Sequence, residues 1–250
     1  MVHPVHTVIS NSLCLSDEQF INTLDQYKRW AQTGNNIAQM YVASVYRDGK
    51  DKYGISKDPF LAFYYFQLAA DQGDAEAQLT IGLYYTEGVG VEPDLSKAFS
   101  YFKAAADQGK DEAALRTGLC YAEGKGIERN DDAAFSYFKA AADRGNAEAA
   151  FRTGLCYAEG NGTERNDDAA FCYCKRAADQ NHRKAQLYVA KCYSEGLGTK
   201  EDDLNAFNYA KPGADKGDEE CQALIKALHK KGIDVPEKSG EGCCCCCSIF

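Results

Sequence analysis

Apolar residues recur along this chain at helical spacing, and the whole pattern returns every 36 residues. Residues 116–145, RTGLCYAEGKGIERNDDAAFSYFKAAADRG, reappear almost letter for letter from Arg152 onward. Gly82, Gly118 and Gly154 mark the period, because each lies 36 residues from the next. A fixed period in the range of about 20–50 residues is typical of a solenoid, in which each unit buries its apolar face against its neighbours.

Each unit predicts two helices. The first carries apolar residues at helical spacing and ends at Gly124, since glycine enters the left-handed conformation of a helix C-terminus without strain. The second begins at Asn130 and Asp131, whose side chains accept hydrogen bonds from free amides and suit the helix dipole. An apolar stripe follows, which predicts an amphipathic helix packed on one side. We expect close packing around the small and aromatic residues Gly118, Ala134, Ala141, Tyr121, Tyr137 and Phe138.

The order of fixed residues within one unit points to a known family. In the clearest unit these residues are Ala77, Ile81-Gly82, Tyr85, Gly88-x-Gly90-Val91, Asp94, Lys97-Ala98, Tyr101, Ala105-Ala106, Gly109 and Ala113. This pattern resembles the Sel-like repeat, a longer relative of the tetratricopeptide repeat, from about Ile37 to Gly217. The resemblance, together with the helical period, predicts an all-α, right-handed superhelical solenoid of five helix pairs between two capping helices.

The ends of the chain differ from the repeats and predict three regions. Residues 1–15 lack the basic and apolar segments of a secretory signal, and we expect a flexible arm there. The repeat domain is predicted over 16–231, opened by a helix capped by Ser16 and closed by a helix over 219–231. Residues 232–250 form a polar linker and a cysteine-rich tail. Nothing in the sequence is apolar for about 18 residues, so no span of a bilayer is predicted.

Two units depart from the pattern. The first complete unit has an inter-helix loop, RDGKDKYGISKD, that is three residues longer than its counterpart TEGVGVEPD. Such an insertion is expected on the surface. It either forms part of a binding face or is a loop extension without function that costs little stability. The last unit places Asn181 at the turn glycine and Pro212 inside its second helix. Because proline removes a helical hydrogen bond and clashes with the preceding turn, we expect a kink or an early end near Lys211.

The composition excludes one class of partner. The formal net charge is −9 over 250 residues, and nothing supplies the positive stripe that neutralises phosphates, so we expect no nucleic-acid partner. The acidic surface is either simply solvated or attracts a basic partner.

Six of the twelve cysteines lie within the helices. Cys120, Cys156 and Cys192 share one repeat position, which predicts a small residue packed in the core. Secreted members of the family that it resembles pair two cysteines within a unit, and here the recurring cysteine has no recurring partner, which fits a reducing compartment. Cys172 and Cys174 lie near His182 and Cys192 in the sequence, but two residues on a helix that are two positions apart point to nearly opposite sides. We therefore expect no metal site.

The last four residues carry a chemical signal. Cys247-Ser248-Ile249-Phe250 has the form of a prenylation signal, and a terminal phenylalanine favours a geranylgeranyl chain. Stable anchoring needs a second signal, and the chain has no polybasic patch. The neighbouring cysteines are predicted palmitoylation sites: Cys243, Cys244, Cys245 and Cys246. The alternative is a cysteine-rich tail without function.

The resemblance also implies a binding groove. Arrays of this kind hold partner segments on the concave face formed by their first helices. Carried over by position, that face holds a leucine row, an arginine row and a glutamate row, formed by Leu83, Leu119 and Leu155, by Arg116 and Arg152, and by Glu87, Glu123 and Glu159. The arginines and glutamates either pair with one another or contact a ligand.

These features predict a non-catalytic adaptor that binds a protein or peptide and works on the cytosolic face of a membrane, after a prenyltransferase has modified Cys247. The repeats contain neither a nucleophile with a base nor a phosphate loop, so we expect no catalytic residues, cofactor or metal. An enzyme with its site in the groove and a structural spacer are the alternatives. The chain is interpreted either as a bacterial effector lipidated by its host or as a eukaryotic adaptor, similar to prenylated Sel-like regulators of a membrane enzyme.

Overall fold

The computed structural model describes residues 16–232, and these residues form helices joined by short turns. In chain order the α-helices are α1 (Asp17–Gln32), α2 (Asn36–Asp48), α3 (Pro59–Asp71), α4 (Ala75–Glu87), α5 (Leu95–Asp107), α6 (Asp111–Glu123), α7 (Asp131–Asp143), α8 (Ala147–Glu159), α9 (Asp167–Asp179), α10 (Arg183–Glu195), α11 (Asp203–Ala214) and α12 (Glu219–Lys230). Between residues 16 and 232 the extended structure is limited to one isolated bridge, Lys50 to Ile55. The predicted arm and most of the predicted linker and tail lie outside the described residues.

The helices fall into two compact units that divide between Arg165 and Asn166. The first unit holds α1 to α8 and the second holds α9 to α12. Within each unit every helix packs against the next one in sequence. The predicted all-α fold of stacked helix pairs, of the solenoid class, is therefore confirmed. A single repeat domain over 16–231 stays a prediction.

The predicted helix ends are confirmed in detail. Gly124 ends α6 with a left-handed φ of 68°. The side chain of Asn130 begins α7 by accepting a hydrogen bond from the backbone N–H of Ala133 at 2.9 Å. Asn181 adopts a φ of 65° where the other turns have glycine. Asparagine is one of the few residues with a side chain that tolerates this conformation, so the divergent last repeat keeps the same turn.

A glycine of the first helix and a phenylalanine of the second form the centre of a repeat. A Cβ atom added to Gly118 would lie 2.6 Å from the ring of Phe138, so only glycine leaves room for that ring. In the last unit Ala190 stands at the glycine position, and the ring is replaced by the small Ala210, which packs with Cys221 in a buried cluster. The volume gained at one position is thus offset by the volume lost at the other, which keeps the packing dense.

The capping helix at the N-terminal side is confirmed, and the long loop of the first complete repeat packs on it. Ser16 and Gln19 form a reciprocal capping box at the start of α1. In the loop, Asp51–Tyr53 forms one turn of 3₁₀-helix. The ring of Tyr53 stacks on the buried ring of Phe20 in α1, with centroids 3.9 Å apart. The three extra residues thus help to cover the exposed end of the core.

Pro212 does not end its helix early. Of the two expected effects, the early end near Lys211 is wrong, because α11 continues through the proline to Ala214, and the kink stays a prediction. Pro212 lies in the last turn, so the one N–H···O bond that it removes and its clash with the carbonyl of residue 208 affect only the end of the helix. The turn is held from outside, since a Cβ atom on the buried Gly213 would lie 2.5 Å from the Sγ atom of Cys221. The predicted closing helix is present as α12.

Candidate functional site

Two clefts open between neighbouring helices of the first compact unit, and residues of both first and second helices line them. Cleft 1, of about 160 Å³, is lined by Thr86, Leu95, Ala98, Phe102, Arg116, Leu119, Cys120, Glu123 and Lys125. Cleft 2, of about 180 Å³, is lined by Leu119, Ala122, Glu123, Arg129, Asp131, Ala134, Phe138, Arg152, Leu155, Cys156, Glu159 and Asn161. Most positions of cleft 1 return in cleft 2 one repeat later. The clefts are therefore two copies of one site on neighbouring repeats.

The structure brings together six of the eight predicted groove residues, all except Leu83 and Glu87 of α4. Leu119 and Glu123 line both clefts. Arg116 lies in cleft 1. The remaining three, Arg152, Leu155 and Glu159, lie in cleft 2. Leu83 is half-buried on α4 and lines neither of these two clefts.

The two predicted arginines pair with glutamates one turn earlier on their own helices. The Nε atom of Arg116 donates to Oε1 of Glu112 at 2.8 Å. In the next repeat, Nε of Arg152 donates to Oε1 of Glu148 at 2.7 Å. Such pairs on a helix surface contribute only about 0.3–0.5 kcal/mol. The pairs orient the guanidinium groups, and most donors of each group are left for other contacts.

The glutamate row has polar neighbours of its own in the inter-helix loops. Lys125 contacts Glu123, with 2.6 Å between Nζ and Oε2. At the equivalent place in the next repeat, Nδ2 of Asn161 donates to Oε2 of Glu159 at 2.7 Å. The hydrogen bond to Glu123 raises the pKa of Lys125, which therefore stays charged at neutral pH. The two clefts thus differ in charge at their outer rims, although their floors are alike.

Cleft 2 contains an ion pair that sequence reasoning missed. Arg129 and Asp131 form two parallel hydrogen bonds, each 3.0 Å long. The guanidinium lowers the pKa of Asp131, so the carboxylate keeps its charge at neutral pH. Arg129 precedes α7 in the loop, and it lines cleft 2 together with Arg152 and Leu155 of α8. The sequence contains one signal for this residue, because Arg129 returns as Arg165 one repeat later.

This arrangement suits binding better than catalysis. Leucines and a phenylalanine form the floor of cleft 2, and carboxylates and guanidinium groups form its rim. Burial raises the pKa of Cys156 to about 11, so the thiol in this cleft stays protonated at neutral pH. Across residues 16–232, no group of three or more His, Cys, Asp or Glu side chains is placed to hold a metal ion.

The predicted core cysteines are buried or half-buried. Cys156 and Cys192 are buried, and Cys120 is half-buried. Cys172 is exposed while Cys174 is fully buried, so the two point to opposite sides of α9 as expected. Burial raises the pKa of Cys174 to about 12.

Iodoacetamide at pH 8 should therefore label Cys172 and leave Cys174 unmodified in the folded protein. The reagent attacks the thiolate, and Cys174 is both covered and protonated at this pH. Mass spectrometry of the peptide that contains both residues measures the result. In concentrated urea both cysteines should be labelled, which serves as the control. Equal labelling in the folded protein would contradict the burial of Cys174.

The predicted lipidation sites, Cys243 to Cys247, lie outside the described residues. In the part of the chain that the structure describes, no helix combines the length and apolar character needed to cross a membrane.

The stacked helix pairs and their repeated clefts define a helical-repeat protein of the solenoid class. The model of the Sel1 repeat matches five consecutive segments, 36–74, 75–110, 111–146, 147–182 and 183–218. The chain therefore belongs to the Sel1 repeat family, and the resemblance inferred from its fixed residues is confirmed. The comparison with curated proteins gave no significant match.

Two solved structures share this fold. The first is a protective antigen of uropathogenic Escherichia coli strains with an SLR fold, 25% identical over 84% of this chain and 52% of the antigen, with a TM-score of 0.71. The second is a Sel1 repeat protein from Oxalobacter formigenes, 26% identical over 82% of this chain and 59% of that protein, with a TM-score of 0.70. The matched part of this chain thus spans between half and three fifths of each relative.

Proposed function

We propose that this chain is a non-catalytic adaptor that binds a segment of a partner protein across clefts 1 and 2. Sel1 repeat proteins generally act as scaffolds for protein–protein interaction. One observation supports the site in particular: Leu119 and Glu123 line both clefts. A partner segment that crosses the two repeats would meet the same apolar and charged contacts twice.

The chemistry of the clefts indicates what such a segment offers. Apolar side chains would enter the two floors beside Leu119 and Leu155, which are half-buried in the free protein. Basic groups would meet Glu123 and Glu159, and acidic groups would meet the two arginines. A central apolar contact surrounded by a polar rim is the usual anatomy of a protein interface.

Leu119→Asp/Leu155→Asp should weaken partner binding at least about tenfold, because buried apolar anchors dominate interface energies. The matched control is Leu204→Asp, the same substitution at an exposed leucine of α11 outside both clefts. Proteins recovered by crosslinking and affinity capture would be compared quantitatively among wild type and the two variants. If all three recover the same proteins in equal amounts, the chain does not use these clefts, and a spacer role is favoured.

We further propose that the adaptor works on the cytosolic face of a membrane, attached by a prenyl chain on Cys247. A prenyltransferase would modify this residue, and acylation of Cys243 to Cys246 would add a second chain. The support is the sequence of the tail and the net charge of −9, since an acidic array gains nothing from anionic lipids. The two solved relatives come from bacteria, which favours a bacterial effector lipidated by its host over a resident eukaryotic adaptor.

A further inference from the structure

A groove remains open along the last helix of the array. This terminal groove, of about 300 Å³, lies between α11 and α12 and is lined by Phe207, Lys211, Ile225, Lys226 and His229, among others. α12 is a helix of the first type, and no second helix follows it among residues 16–232. The groove is therefore a helix–helix surface without its usual partner.

An earlier repeat shows what covers the equivalent surface. Lys226 and His229 stand at the positions of Gly118 and Tyr121 on α6. Gly118 contacts a ring of the following helix, α7, and Tyr121 stacks on Tyr137 of α7 with centroids 5.9 Å apart. In a complete repeat this slot is filled by the segment that comes next in the chain.

The chemistry of the terminal groove differs from that of the complete repeats. Its floor includes Phe207, which is 7% exposed and whose ring lies 5.9 Å from that of His229. The ammonium group of Lys211 lies 5.5 Å from the centre of the same ring. Lys226 is exposed and has no ion-pair partner among the described residues. Asp215 also lines the groove and pairs with Lys211, with 3.8 Å between Oδ1 and Nζ, so Lys226 is left as the free charge of the described rim. An apolar floor beside this positive charge fits a short segment that carries aliphatic and acidic side chains.

The chain continues with such a segment directly after α12. Residues 233–237 are Ile-Asp-Val-Pro-Glu, and Gly232 ends the helix with a φ of 88°. Proline restricts the residue before it to extended conformations, so this segment is unsuited to a helix. From His229 back to Gln222 the groove runs along seven residues of α12, about 10 Å at the helical rise. Four extended residues span about 13 Å, which is enough to follow it.

We propose that residues 233–237 fold back into the terminal groove, antiparallel to α12, and occupy the place that a second helix takes in a complete repeat. Ile233 and Val235 lie on Phe207 and Ile225, and the acidic side chains face Lys226. This contact is separate from clefts 1 and 2 and does not depend on the proposed adaptor function. It shortens the free linker before Cys243 to residues 238–242, so a lipid on the tail would hold the array close to the membrane.

Hydrogen exchange of the full, unlipidated chain tests this proposal. In the wild type, amides of residues 233–237 should exchange at least about tenfold more slowly than those of 239–242, after correction for intrinsic rates. Lys226→Glu should remove this protection, and Lys226→Glu/Asp234→Lys should restore it. The matched control is Lys230→Glu, the same change at an exposed lysine of α12 that does not line the groove, and it should leave the protection intact.

Two results would overturn the proposal. Equal exchange of 233–237 and 239–242 in the wild type would show that the segment does not dock. Protection that grows with protein concentration would show that a second copy of the chain fills the groove instead. Circular dichroism of each variant checks that the helices are intact, and wild-type helicity with lost protection in Lys226→Glu supports the docked segment.

Discussion

Gly126→Ala should destabilise the first unit far more than Gly124→Ala, although the two glycines lie in the same turn. Both have a left-handed φ, 74° for Gly126 and 68° for Gly124. An added Cβ atom at Gly124 meets nothing closer than 3.6 Å. At Gly126 it would lie 2.1 Å from the carbonyl oxygen of Leu95. This oxygen belongs to the backbone of α5, so it cannot move aside as a side chain would.

The expected magnitudes follow from this difference. Gly124→Ala carries only the cost of a left-handed alanine, about 1–2 kcal/mol. Gly126→Ala must in addition push the start of α5 away from the loop that contains residue 126. We expect the free energy of unfolding to fall by about 3–5 kcal/mol in total. Urea unfolding followed by circular dichroism measures both. Equal shifts of the two midpoints would contradict the clash.

The same contact recurs along the array and provides an independent test. A Cβ atom on Gly162 would lie 2.1 Å from the carbonyl oxygen of Asp131, and its turn partner Gly160 has no neighbour nearer than 3.6 Å. Gly162→Ala and Gly160→Ala should therefore show the same large and small effects. In these two turns the second glycine sets how closely one repeat stacks on the previous one.

Cys247→Ser should move the protein from membranes to the cytosol of a eukaryotic cell. Each buried methylene of a lipid contributes about 0.8 kcal/mol, so one prenyl chain gives reversible binding and a second chain gives stable residence. The serine variant can receive no prenyl chain, and without it the tail would not reach the enzymes that acylate the neighbouring cysteines. Fractionation and fluorescence microscopy of tagged protein, with the tag at the N-terminal side, measure the distribution.

Replacing Cys243 to Cys246 with serine is the matched comparison. This variant keeps Cys247 and should retain weak binding to internal membranes, since a single lipid remains. Mass spectrometry of the wild-type tail should show an isoprenoid on Cys247 and the loss of the last three residues. A Cys247→Ser protein that stays on membranes, or an unmodified wild-type tail, would refute the lipid anchor.

Local sequence determined the helices and their ends. The 36-residue period, the glycines at 124 and 145 and the capping residues Ser16 and Asn130 are signals that act over a few residues, and the structure has a helix boundary at each. The opposite exposure of Cys172 and Cys174 followed in the same way from helical geometry. Such features are predictable because each depends on its immediate neighbours in the chain.

The composition of the clefts depended on contacts between residues far apart in the sequence. The prediction paired the arginines with the glutamate row or with a ligand, and the structure pairs them with Glu112 and Glu148 one turn earlier. Arg129 lines cleft 2 beside Arg152 and Leu155, which lie more than 20 residues further along the chain. Surface ion pairs as weak as these do not direct the stacking of the repeats, so their partners are set only in the stacked structure.

Tertiary structure alone also decided the ends of the array. Pro212 was expected to kink α11 or to end it early, yet α11 continues to Ala214, and Gly213 packs against Cys221 in the turn that contains the proline. Tyr53 looked like part of a surface insertion and proved to stack on Phe20. In both cases the burial of apolar surface between distant segments outweighed the local conformational preference. A sequence pattern shows that local preference, but it does not show which distant residue becomes the packing partner.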